Sequence, residues 1–211
     1  MKSRIFGLMI LIMMITLSSC REEEKSSDMN IIFLHHSTGD VIWKGREPSI
    51  VTRIAGKISY RLAKIFDTRA RLPLLFKKYN KKYQKNYLIK ELAFPKAEPY
   101  GWKNNPYDYY NIWVKNAGNE PFMEEPTLEM LTKDYQTIVF KHCSPVCNIQ
   151  ADQDSADINS EFPTISNYKL QYTALRDKLH NFPDTKFILF TGAALVKSNV
   201  SGKLWSLSLN A

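Results

Sequence analysis

Short apolar runs alternate along this chain with stretches whose apolar residues recur at helical spacing. Ile31 to Leu34, "IIFL", is bounded by polar residues and too short for a helix, so it reads as a buried strand. Thr137 to Phe140, "TIVF", is β-branched and bounded in the same way, and Lys186 to Phe190, "KFILF", is the last such run before Thr191-Gly192. Tyr87 to Leu92 is a further strand, interrupted by Lys90 and Glu91. Between these runs, Ser49 to Phe66 carries Ile50, Ile54, Ile58, Leu62, Ile65 and Phe66 as a helical stripe. Glu124 to Lys133 reads as a short helix with Pro126 in its first turn. Ser166 to Phe182 has apolar residues at Tyr168, Leu170, Tyr172, Leu175 and Leu179, and Pro183-Asp184 ends it. Strands alternating with helices imply a parallel sheet with helices on both faces. Arg69 to Phe122 is long, aromatic and poorly periodic; it reads as an insert forming a cap or lobe over one sheet edge.

The first residues read as a targeting segment. Lys2 and Arg4 precede an apolar stretch, Ile5 to Leu17, of signal-peptide length and short for a permanent membrane span. It ends in "LSSC", Leu17 to Cys20, which resembles the bacterial lipobox: a leucine, two small residues, then the cysteine that is lipidated. That resemblance implies a signal peptide over 1–19 and a membrane anchor at Cys20, made stable by multiple acylation. An ordinary signal peptide with an incidental cysteine is the alternative. The polar segment that follows, "REEEKSSDMN", reads as a solvated tether over 20–29. Its acidic run resembles the surface-export signals of Bacteroidetes lipoproteins, which implies the outer membrane, on its periplasmic or cell-surface face. Residues 30–211 then suffice for one domain with a real core. Besides Cys20 the chain has Cys143 and Cys147, which either pair in an oxidising compartment or stay free.

Charge sharpens the picture. The formal net charge is +8, and Arg53 to Lys90 holds twelve Lys or Arg against one acid, Asp67. Such a patch faces anionic lipid, lipopolysaccharide, acidic glycan or nucleic acid, or is simply a solvated helix face with a loop. Nucleic acid is not an expected partner, because no recognition motif is present and an exported, lipid-anchored protein seldom meets it.

Candidate chemistry follows the first strand, in "HHSTGD". The C-terminal ends of strands in an open α/β sheet are where ligands collect. Ser37 is there a candidate nucleophile, or part of a Ser-Thr-Gly turn that caps the next segment. "FLHHSTG", "TIVFKHCSP" and "KFILFTGAAL", in that order over roughly residues 30–200, resemble the bacterial SGNH/GDSL hydrolases. The resemblance implies a flavodoxin-like, three-layer α/β/α fold and hydrolysis of an acyl ester on a carbohydrate or lipid, with no cofactor. Ser37 then takes the place of the nucleophilic serine, and its own amide, Gly118 in "KNAGN" and Asn148 in "KHCSPVCN" are the oxyanion donors. Asn148 stands several residues later than the family's asparagine, and both it and Gly118 also read as plain loop residues.

The family places an Asp-x-x-His base beyond its last strand. The Asp177 to His180 spacing closes the helix before "KFILF", so it belongs to the opposite edge of the sheet. Five residues of strand at about 3.3 Å each separate the two edges. The tail "SGKLWSLSLNA" carries neither acid nor histidine and reads as lacking the family's C-terminal block, by truncation or frameshift, or as that of a smaller relative. The expectation is an esterase impaired by the missing base, with weak or no turnover; His36 and His142 are the residues at that edge able in principle to substitute.

Two other readings use the same residues. His35, His36, His142 and Cys143, with Cys147 nearby, form a zinc site if the first and middle strands are neighbours, or else hydrogen-bond adjacent loops. The aromatic stretch "YGWKNNPYDYYNIW", Tyr100 to Trp113, stacks on sugar rings in a non-catalytic, glycan-binding surface lipoprotein, or forms the core of the cap.

Overall fold

The computed structural model describes residues 27–36, 38–45, 50–59, 70–152 and 155–190. The targeting segment, Cys20, Ser37 and the tail from 191 to 211 lie outside the described residues. The described elements are β1 (Met29–His35), α1 (Thr38–Lys44), α2 (Ile50–Ile58), α3 (Arg71–Tyr83) and β2 (Tyr87–Ala93). Then come α4 (Pro106–Tyr110), which runs into a π-helical turn (Asn111–Lys115), and α5 (Leu128–Asp134). The last are β3 (Thr137–Lys141), a 3-10 turn (Ser144–Cys147), α6 (Ile165–Leu179) and β4 (Lys186–Phe190).

The four strands form one all-parallel sheet in the order β2-β1-β3-β4, with Ile31 beside Thr137 and Thr137 beside Lys186. This is the expected α/β architecture in three layers. β1 is central, and its residues Ile31 to His35 are buried on both faces, which is why it reads as an unbroken apolar run. β2 lies at an edge and alternates half-buried with exposed positions, so Lys90 and Glu91 fit within it.

One face of the sheet carries the main core. Ile32 and Leu34 of β1 and Ile138 and Phe140 of β3 meet Tyr109, Ile112, Trp113, Leu128, Leu131 and Leu175 from the helices. The Tyr109 ring stacks on Phe140 and stands edge-on to Phe94 and Trp113, at 4.9–5.4 Å between centroids. Burying each such side chain fully contributes about 2–3 kcal/mol. The stretch read as a cap is therefore the inner layer of the domain: Tyr109, Ile112 and Trp113 have helical spacing and no exposed surface. It is launched by a capping box between Asn105 and Asp108, with Pro106 in the first turn. On the other face, α1 packs on β1 and on α3, which in turn lies against β2.

The short helix before β3 starts later than the spacing predicts. Met123 and Glu124 have positive φ, and Phe122 and Glu125 form an isolated bridge, so this segment is a tight turn. Pro126 therefore precedes the helix, whose N-cap is Thr127. α3 lies where no helix is expected, and it has no buried residue. Among the described residues, no helix is long and apolar enough to cross a membrane.

Candidate active site at the switch point of the sheet

From β1 the chain moves outward to β2, then returns across the sheet to β3 on the other side of β1. The C-terminal ends of β1 and β3 thus flank the topological switch point, where open α/β sheets form their ligand crevice. β1 delivers His35 and His36 to that edge, and β3 delivers His142 and Cys143.

The passage from β1 into α1 is tight. The Gly39 amide donates to the His36 carbonyl at 2.8 Å. A Cβ at position 39 would stand 2.3 Å from the His35 Cβ, so only glycine lets α1 start directly over that side chain. His35 is buried, and its Nε2 pairs with the Glu91 carboxylate on β2 at 3.0 Å. Burial lowers the pKa of this imidazole, and the Glu91 carboxylate opposes the effect. His36 donates through Nε2 to the Pro95 carbonyl, just beyond β2. A carbonyl can only accept, so Nε2 is the protonated nitrogen in that bond. Ser37, the next residue, lies outside the described set.

His142 is a different kind of group. Its ring stands edge-on to Tyr109 at 4.5 Å and to Tyr172 at 5.6 Å, and only 4% of its surface is exposed. Neither ring nitrogen has a hydrogen bond of good geometry. Burial drives its pKa down to about 3, opposed only in part by the nearby Asn104 carbonyl. A ring so reluctant to take a proton is a poor general base at neutral pH, which corrects the expectation of His142 in that role.

The loop ends are tied by Asn104, which the sequence reading missed. It has φ +59°, is almost fully buried, and donates through Nδ2 to the Phe94 carbonyl at 2.6 Å. Its own carbonyl accepts the Cys143 amide at 3.3 Å, which joins the exit of β2 to the exit of β3. The available signal was "NNP", because asparagine tolerates left-handed φ just ahead of a capped helix.

The remaining candidates separate. Asn148 follows the 3-10 turn beyond β3 and is exposed, on the same side of the sheet as His36. Gly118 is drawn elsewhere: its amide donates to the Glu129 carboxylate at 3.3 Å, and its carbonyl accepts from Thr127. Glu129 also pairs with Lys178 in the last turn of α6, the helix that leads to the start of β4. The structure thus does not bring Gly118 to the His36 edge, and its amide is already engaged. His180 caps the C-terminus of α6, ahead of β4, and so stands at the N-terminal edge as its spacing implies.

The zinc set does not assemble. His35 is turned to Glu91 and His142 is enclosed by tyrosines, while burial raises the thiol pKa values of Cys143 and Cys147, both free. Among the described residues, no three His, Cys, Asp or Glu side chains are grouped to hold a metal. Of the aromatic stretch, Trp102, Tyr109 and Trp113 are buried in the core, Tyr107 and Tyr110 are half-buried, and Tyr100 is exposed.

A groove of about 740 Å³ runs between α6 and β4, lined by Phe140, Tyr172, Leu175, Leu179, Phe187 and Leu189 among others. His180 is on its wall, but neither His36, His142 nor Asn148 is. Its lining is mostly apolar, with Thr173, Arg176 and Thr185 as polar residues beside His180.

No family model, curated protein or solved structure matches the chain.

Proposed function

We propose that the chain is a serine esterase of SGNH/GDSL type, acting on an acyl ester of a carbohydrate or lipid, with Ser37 as nucleophile. The observation that carries this reading is the strand-to-helix turn at the switch point, closed by the Gly39–His36 bond and tight enough to demand glycine over His35. Turns of this kind hold a nucleophile at the C-terminal edge of a sheet, where oxyanion donors from neighbouring loops meet the substrate.

His36 is the favoured base. Its Nε2–H is held by Pro95, which leaves Nδ1 to accept a proton. Asn148, on the loop after β3, is the favoured side-chain oxyanion donor. Gly118 has no part in this arrangement. Among the described residues no Asp–His pair stands at this edge, so the imidazole works without an orienting carboxylate and turnover is slow. In this reading the protein is held at the outer membrane through Cys20, next to its lipid-borne or glycan-borne substrate.

The test is p-nitrophenyl acetate hydrolysis by the full chain, with Ser37→Ala and His36→Gln beside the wild type. Slow turnover that both substitutions remove supports the reading. Turnover unchanged by Ser37→Ala rules it out.

A further inference from the structure

The connection from β1 to β2 leaves its apolar residues facing outward. On α2, Ile50 and Ile58 are each 73% exposed and Ile54 56%, while Ala55 is the buried residue. Ile50, Ile54 and Ile58 follow one another at four-residue spacing, so they make one continuous stripe, bordered by Arg53 and Lys57. α3 repeats the chemistry. Leu74 and Leu75 are 59% and 49% exposed, on the side of the helix that also carries Arg71, Lys78 and Lys82. Beside α3, Val41 of α1 is also more than half exposed. Further along α3, Tyr79 and Tyr83 are exposed with their tilted rings 4.5 Å apart, and the Lys82 ammonium lies over the Tyr83 ring.

A solvated basic face does not need exposed isoleucines and leucines, and burying them against the sheet would leave no such stripe. We infer that α2 and α3 each dock on an anionic lipid bilayer, with the aliphatic side chains at the acyl boundary and the Lys and Arg at the headgroups. Charge complementarity selects this occupant. Residues 50–59 and 70–90 hold nine Lys or Arg and no acid. Nucleic acid would match the charge but has no use for an aliphatic helical stripe, whereas helices lying in a bilayer interface combine basic borders, apolar faces and tyrosine anchors. The inference is independent of the esterase reading.

Amide hydrogen exchange of the full chain on vesicles tests it, with phosphatidylcholine vesicles compared with vesicles that also contain phosphatidylglycerol. A single Lys or Arg near an anionic surface contributes roughly fivefold to attachment. Exchange in 50–58 and 71–83 is expected to slow by at least about fivefold on the anionic vesicles alone. Lys78→Glu with Lys82→Glu, both exposed positions, should abolish the slowing while β1 and β3 exchange as before. Equal rates on the two kinds of vesicle, slowing that survives the charge reversal, or slowing without lipid that marks a protein partner would each overturn the inference.

Discussion

Gly39 lies against the side chain of His35, so close that a β-carbon at position 39 would come within 2.3 Å of the histidine's own Cβ and 2.7 Å of its Nδ1. The first residues of α1 are thereby pressed onto the end of β1. His35 cannot yield easily, because it is buried beside Phe33 and paired with Glu91. Gly39→Ala should destabilise the domain by about 1–3 kcal/mol, the usual cost of overpacking a tight site. Urea denaturation checks this, and a midpoint equal to the wild type's would mean that the turn is looser than described.

Burial of His142 works against the folded state at acid pH. Its pKa falls from 6.5 to about 3 on burial among Tyr109, Phe140 and Tyr172. Between those values the unfolded chain binds a proton that the folded chain refuses, so stability decreases as pH drops below about 6.5. The slope reaches about 1.4 kcal/mol per pH unit. Asp108 works in the opposite direction over part of this range, since burial raises its pKa from 3.8 to about 6 and favours the folded state at lower pH. Comparison with His142→Phe isolates the histidine. The variant should lose less stability than wild type between pH 6.5 and pH 4, the range in which both stay folded; parallel curves in urea titrations would contradict the assignment.

The lipobox-like "LSSC" leads to a prediction about attachment. Cells expressing the full chain and fed a radiolabelled or alkyne-tagged fatty acid should label it through Cys20, and Cys20→Ala should abolish the label. Equal labelling of the two proteins would remove the anchor from the account.

The parts of the fold legible in the sequence are those whose residues meet the same environment along their whole length. β1 and β3 are flanked on both sides by other strands, so their burial shows as unbroken apolar runs, while β4 shows as a β-rich run ended by Thr191-Gly192. α3 was missed because it buries no residue fully and crowds its aliphatic residues, Leu72, Leu74 and Leu75, into its first turns, ahead of a run of lysines. The aromatic insert was misplaced because its stripe crosses from α4 into a π-helical turn, which breaks the 3.6-residue period. At the candidate site, the strand ends bearing His36 and His142 followed from parallel-sheet topology. What those residues do there depends on contacts distant in sequence. His36 reaches Pro95, 59 residues away, and the Glu129 that engages Gly118 pairs with Lys178, 49 residues away. No local pattern encodes such partners.

The most direct measurement of the central claim is covalent labelling by a fluorophosphonate, which requires a nucleophilic serine and no knowledge of the natural ester. Intact-mass and peptide analysis of the treated full chain should find one adduct, formed slowly, on Ser37. It should be absent from Ser37→Ala and slower still in His36→Gln. An adduct that persists in Ser37→Ala, or a wild-type chain that takes up no label at all, would contradict the account.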